Sequence, residues 1–469
     1  MTETPATGPD PAPASAGSAA APSAEPAETA AAETGSAETG PAETGSAETG
    51  PAEPGKSAGS RARLTGTVII QAITQGSSAV ITILAIFLAL VVGAFLIAFS
   101  DPVVTKAWST FFHYPLYALE QTWDSVSFAY SQMFEGAILN PSTVSAAFHG
   151  GSIAAIFYPL SSTCAQATPL ILTGLSVAIA FQAGLFNIGA AGQWVGGAIV
   201  ATWLGFGVSL PPVIHVIVCV IGAFVGGAVI GWFVGLLKAR TGAHEVIVTI
   251  MLNYIMYDLL SYLLSHQTLL QEPHQTNEIA PFIANDATLA HVGGPPPQVG
   301  IGFLIAIAAA VAVAWLLSRT TTGFEFRTVG ASPSAARTAG INVERSWILV
   351  MLLAGGLAGL SATTVIQGTN TQLTFNSYGT YGPDGITVAL LGRARPIGVV
   401  LAGLLFGALH VGGTYVEAAT LGQVPADIVQ VLEGLIVLFV AAPVLIRAVF
   451  RLRSTAGTGM EAVAKGWNG

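Results

Sequence analysis

Apolar runs roughly twenty residues long recur along the chain from Ser78 onward, with polar residues gathered between them. A run of that length crosses the ~30 Å hydrocarbon core of a bilayer as an α-helix, whereas a β-barrel reads as shorter alternating segments. Taken in order, the pattern predicts spans at about Ser78–Phe99, Gln166–Ala183, Ala190–Phe206, Pro212–Leu237 and Val246–Leu264. Further spans follow at about Ile301–Leu317, Trp347–Ile366, Ile397–His410 and Ile428–Phe450, with a short apolar piece at Ile386–Leu391 between the seventh and the ninth. The fold class is therefore all-α: a polytopic transmembrane helical bundle of about ten spans. Six apolar residues cannot cross a membrane at about 1.5 Å per residue, so Thr371–Leu391 reads as a broken or re-entrant element. Ser142–Leu160 reads as an external or interfacial helix, because a further crossing there would reverse every span that follows.

The basic residues support that threading. Lys and Arg number 16, and ten alternating crossings put all but Lys106 on one face. They lie ahead of the first span, in the turns after the fourth, sixth and eighth, and behind the tenth. The positive-inside rule makes that face cytoplasmic and places both termini inside.

Composition agrees with lipid as the solvent. Only 9% of the residues are charged, against about 25% in a soluble domain. The net charge of −9 belongs to residues 1–55, which hold nine acids and no base. This stretch, with its AETGS and AETGP repeats, predicts a disordered acidic tail over residues 1–60. A transmembrane domain is expected over 61–453, with a cytoplasmic tail at 454–469. Gly50–Ser57 fits the phosphate-loop pattern G-x-x-x-x-G-K-[ST], but neither a strand precedes it nor a helix follows, so no ATP site is expected there. Cys164 and Cys219 show no metal or redox spacing and read as small packing residues.

Polar residues interrupt the apolar runs in three blocks: Phe186–Gln193, Ala243–Tyr254 and Tyr381–Gly392. Asn, Gln and Asp are costly in lipid and should face the bundle interior, either packing against one another or lining a path for solute. The candidates for such a path are Gln182, Asn187, Gln193, Thr249, Asn253 and Asp384. Gly222-x3-Gly226 and Gly227-x3-Gly231-x3-Gly235 allow close helix approach, within the bundle or at a dimer face. Between the sixth and seventh spans, Ser332 can cap a short helix at about Pro333–Ala339, with Pro333 in its first turn and Gly340 past its end. Too polar to insert, it is either an ordinary surface helix or a docking element for a cytosolic partner.

Several of these blocks resemble, in the right order, the membrane permease subunit of bacterial ATP-binding-cassette importers that take up nucleosides and simple sugars. The matching text comprises Ala167–Leu175, the GLFNIGAAGQ run at Gly184–Gln193, Val248–Tyr254, Val329–Pro333 with Ala335–Ile341, and Asp384–Gly392. TIMLNY and DGITVALLG point to the nucleoside branch. Ala191 stands where related runs carry an acid, and His244 where they carry Asn. The resemblance implies a permease in the cell membrane that does no bond chemistry and binds no cofactor or metal, ATP being used by partner subunits. It implies a cytosolic ATPase gripping the coupling helix through Ser332, Pro333, Ala336, Arg337 and Gly340. It also implies a second permease subunit, identical or not, and an extracytoplasmic substrate-binding lipoprotein; no nucleic acid is implied.

Two other classes compete. A secondary transporter or channel often shows an intramembrane ionisable pair or relay; here the deep ionisable residues are few, among them Asp258, Asp384, His410 and Glu433. A membrane-embedded enzyme would need paired carboxylates, H-E-x-x-H or G-x-S-x-G among its helices, and residues 61–469 have none of them.

Overall fold

The computed structural model describes residues 78–267, 269–290 and 300–451. The expectations for both tails and for the phosphate-loop look-alike lie outside these residues. The first half holds α1 (Ser78–Ser100), α2 (Pro102–Ser109), α3 (Pro115–Ala137), α4 (Pro141–Phe148), α5 (Tyr158–Gln182), α6 (Ala190–Gly207), α7 (Pro212–Thr241) and α8 (Glu245–Leu264). The second half holds α9 (Ile301–Arg319), α10 (Thr321–Ala331), α11 (Pro333–Thr338), α12 (Val343–Val365), α13 (Tyr381–Leu391), α14 (Pro396–Ala419), α15 (Asp427–Ala441) and α16 (Pro443–Val449).

Among the described residues, seven helices are long and apolar enough to cross a membrane, or eight if α15 and α16, bent by 89° at their junction, form one span. Two of the ten predicted crossings fall short of that measure. One is α13, with 11 residues. The other is α6, which has 18 residues but is less apolar, because Gly, Gln and Thr are interspersed with its Trp, Val, Ile, Leu and Phe side chains. Most of α6 is buried against protein, where small and polar residues are tolerated.

The bundle is organised around α12, which packs on α5, α6 and α7. Small residues explain the closeness of α7. A methyl at Gly227 would run into the Gly355 carbonyl, and one at Gly231 into the Met351 carbonyl. The glycine repeat is thus used inside the bundle, with Gly226 meeting Gly196 of α6. Along the other side of α12, Ser361 donates to the Pro169 carbonyl of α5 at 3.0 Å.

Beyond α12 the chain loosens as the sequence predicts. A π-turn covers Ile366–Asn370, Thr371 takes φ +52°, and a 3-10 turn at Phe375–Tyr378 leads into α13. Two sets of contacts then sort the helix ends. Ser100 meets Gln423, Gly205 meets Ala284, and Ile279 bridges Thr374. At the opposite ends, Gln182 meets Ala394, Gly184 meets Gly330, and Arg393 meets Thr82. Every pair joins positions that the alternating threading puts on one side.

The segment between the first two spans is more structured than its polarity predicts. It contains the 23-residue α3, hidden from a search for apolar runs by Glu120, Asp124 and Glu135. The Ser142–Leu160 stretch becomes α4 and a 3-10 turn at Ile153–Phe157, both too short to cross. The second candidate span runs Ile153–Gln182, that 3-10 turn continuing into α5; it begins earlier than the predicted Gln166 because Tyr158–Ala165 is helical although too polar to read as a span.

Candidate translocation site and coupling segment

Four of the six path candidates come together around the loop joining α5 to α6. Asn187 donates to Gln193 at 2.9 Å, and Gln193 donates back to Asn187 at 3.1 Å. Asn187 also donates to the Ser176 hydroxyl at 3.2 Å. From α8, Asn253 accepts from the Gly192 backbone at 2.8 Å and donates to the Ile188 carbonyl at 3.0 Å. Thr249, one turn earlier, lays its Cβ and methyl against Gly189. Asn187, Gln193 and Thr249 are fully buried. A buried polar group must find a partner, and here each finds it within the loop and its neighbours. The cluster is a brace that fixes the loop to α8.

Gln182 and Asp384 lie elsewhere. Gln182 donates to the Ala394 carbonyl at 2.9 Å. It thereby holds a tight turn in which Arg393 and Ala394 take φ +54° and +51°, a conformation that costs non-glycine residues roughly 1–3 kcal/mol each. Burial, and Arg395 beside it, lower the pKa of the Arg393 guanidinium from its ordinary value. Asp384 sits in the first turn of α13, where the Thr380 hydroxyl donates to it at 2.5 Å. The neighbouring α15 brings in Glu433, only 6% exposed. Glu433 is buried and Asp384 half-buried, as expected of ionisable residues in a membrane bundle, which seldom face lipid.

Aromatic residues that polarity alone does not single out gather near Asp384. Trp194 of α6 stacks on Tyr381 at 6.0 Å, and Tyr257 of α8 stacks on Tyr378 at 4.4 Å. The indole N–H of Trp194, the hydroxyl of Thr363 and the side-chain carbonyl of Gln367 are buried without a partner. The signal for these groups was their position: tyrosines beside the Gly-rich break, and a tryptophan one residue past Gln193.

The coupling segment forms as its caps dictate. The Ser332 hydroxyl accepts from the Ala335 backbone at 3.3 Å, Pro333 opens α11, and Gly340 takes φ +82°. Ala336 is buried with Val329 and Val343, pinning α11 to the foot of α12. Arg337 pairs with Glu344 at 2.7 Å, both about half exposed. Gly330, at the end of α10, presses on the Gln182 carbonyl and on Gly184, so the segment abuts the braced loop directly. Nearby, Lys238 pairs with Glu245 at 2.6 Å and lies 5.0 Å over the Trp347 ring, tying α7 and α8 to α12.

A multi-pass bundle with a polar break at its centre and a capped helix seated on an internal loop defines a membrane transport protein. Residues 160–441 match the family described as the branched-chain amino acid transport system permease component, and the chain belongs to that family. It is 36% identical over 310 residues to the guanosine ABC transporter permease protein NupP of Bacillus subtilis, covering 65% of this chain and 86% of that one. It is 37% identical to the nucleoside ABC transporter permease protein NupB of Lactococcus lactis, over 59% of this chain and 78% of that one. It is 36% identical to the glucose ABC transporter permease protein TsgB13 of Haloferax volcanii, over 60% and 76%. The first two organisms each carry a second, more distant permease, NupQ at 26% and NupC at 25% identity. No solved structure matches the chain.

Proposed function

We propose that this chain is the permease subunit of an ATP-binding-cassette importer for nucleosides. The observation that carries the reading is the similarity, at 36–37% identity, to permeases named for guanosine and nucleosides. The aromatic groups beside Asp384 fit a solute with a planar base, since aromatic rings favour offset stacking. A simple sugar is the second reading, favoured by the similarity to a glucose permease.

The contacts of α11 and α12 support the following working cycle. The base-rich ends face the cytoplasm, with both termini inside, and the ATPase grips α11. Movement of α11 carries the foot of α12 with it through Ala336 and Val343. It also drives Gly330 against the loop at Gly184, and Asn253 passes the displacement to α8. Bond chemistry and ATP binding belong to the partner ATPase. Solute arrives from an extracytoplasmic binding protein. Two relatives' organisms also carry a more distant permease, which supports a non-identical subunit as the partner permease.

Uptake into proteoliposomes holding both permeases, the ATPase and the binding protein tests the reading, with ATP inside the cytoplasmic compartment and no ion gradient. Labelled guanosine should accumulate only when the ATPase is present. Accumulation without the ATPase would overturn the importer reading, and uptake of glucose with exclusion of guanosine would replace the nucleoside by a sugar.

A further inference from the structure

We infer that the α2–α3 hairpin is an interfacial membrane anchor, its aromatic tip and one flank of α3 seated in the lipid headgroup boundary. This hairpin lies outside the residues matched to the permease family, 160–441, and the inference does not depend on the transported solute. Asp101 ends α1 and caps α2, accepting from the Val103 backbone at 2.8 Å. The hairpin therefore begins where the first span leaves the membrane. Trp108 of α2 donates to Thr122 of α3 at 2.9 Å and holds the two helices together. Tyr130 donates to the Leu90 carbonyl of α1 at 2.6 Å and fixes α3 to the bundle.

The surface of α3 divides into three sectors. Ala118, Ala129 and Met133 are buried against the protein. Beside them runs an exposed apolar stripe, Leu116, Leu119, Trp123 and Phe134, at helical spacing. Beyond it Glu120, Asp124, Ser127 and Ser131 form a polar flank. An open groove of about 700 Å³ lies beside that flank, lined by Asp101, Gln121, Asp124 and Ser131 together with the apolar Val103 and Phe128. A helix buried on one side, apolar on the next and acidic on the third suits a boundary between protein, lipid and water.

Two features assign the apolar sector to lipid. First, α3 is tied by Tyr130 to α1, whose own surface carries an exposed apolar stripe, Ile83, Phe87, Val91, Phe95 and Phe99, recurring every fourth residue. Second, the tip is rich in the aromatics that prefer the headgroup level. Phe112 is 96% exposed and Tyr114 67%. Trp108 stacks on Phe111 at 4.8 Å, and exposed Lys106 can reach lipid phosphate.

Spin labels placed singly at Leu116→Cys, Trp123→Cys and Asp124→Cys, in a Cys164→Ser, Cys219→Ala background of the full chain, test the placement. The protein is reconstituted in phosphatidylcholine–phosphatidylglycerol vesicles, and label relaxation is read with oxygen and with a water-soluble nickel chelate. Labels at 116 and 123 should favour oxygen by several-fold over the label at 124, at a depth near the headgroup boundary. A preference for nickel at 116 and 123 would overturn the inference by placing that flank in water. Protection of both from both reagents would overturn it by showing protein cover.

Discussion

At the scale of single residues, the tightest constraints are glycines and amides. Gly231→Val drives two methyl groups into the Met351 backbone, where no rotamer relieves the clash. Overpacking of this kind costs about 1–3 kcal/mol, so thermal unfolding in detergent should fall by several degrees. Gly434 has nothing within 4 Å of a would-be Cβ, so Gly434→Ala should leave the midpoint unchanged or raise it. Asn253→Ala leaves the Gly192 N–H and the Ile188 carbonyl without their side-chain partner, at about 1–3 kcal/mol for a buried group. The larger effect expected is on coupling: solute-dependent uptake should drop while ATP hydrolysis by the assembled complex continues. Equal losses of both activities would reduce Asn253 to a purely structural role.

At the scale of elements, the coupling segment is the clearest case of sequence writing structure. Ser332, Pro333 and Gly340 each have a local job that needs no knowledge of the rest of the fold, and α11 begins and ends where they put it. The long apolar helices were equally legible, because lipid demands the same composition wherever a helix faces it. Elements that face protein escape that rule. α6 is legible as a span yet less apolar than the others, because much of it packs on protein rather than lipid, and α3 is amphipathic rather than apolar. The partners of the polar blocks were out of reach for another reason. That Asn253 belongs with Gly192 and Ile188 depends on how α8 lies across a loop some sixty residues earlier. For the coupling segment itself, Arg337→Ala should cost no more than about 1 kcal/mol of stability, since its pair with Glu344 is half exposed. It should nevertheless reduce co-purification of the ATPase with the permease; undiminished co-purification would move the docking site off α11.

At the scale of the whole molecule, the orientation is open to direct measurement. The threading puts α11 inside and the Asn285–Ala287 turn outside. In intact cells, Asp286→Cys should react with a membrane-impermeant maleimide, and Ser334→Cys should react only after permeabilisation. The reverse pattern would invert the molecule. The one helix that connects those two sides most directly is α12. Its foot holds Val343 beside Ala336 of α11, and its far end opens into the π-turn at Ile366–Asn370. There Gln367 donates to the Ala287 carbonyl and joins the α8–α9 segment. A link of this kind has no preferred direction. If nucleotide on the ATPase changes the outer surface through α12, then a binding protein that prefers one outer arrangement must change nucleotide affinity by the same factor. The permease would then report solute supply to the motor as well as obey it.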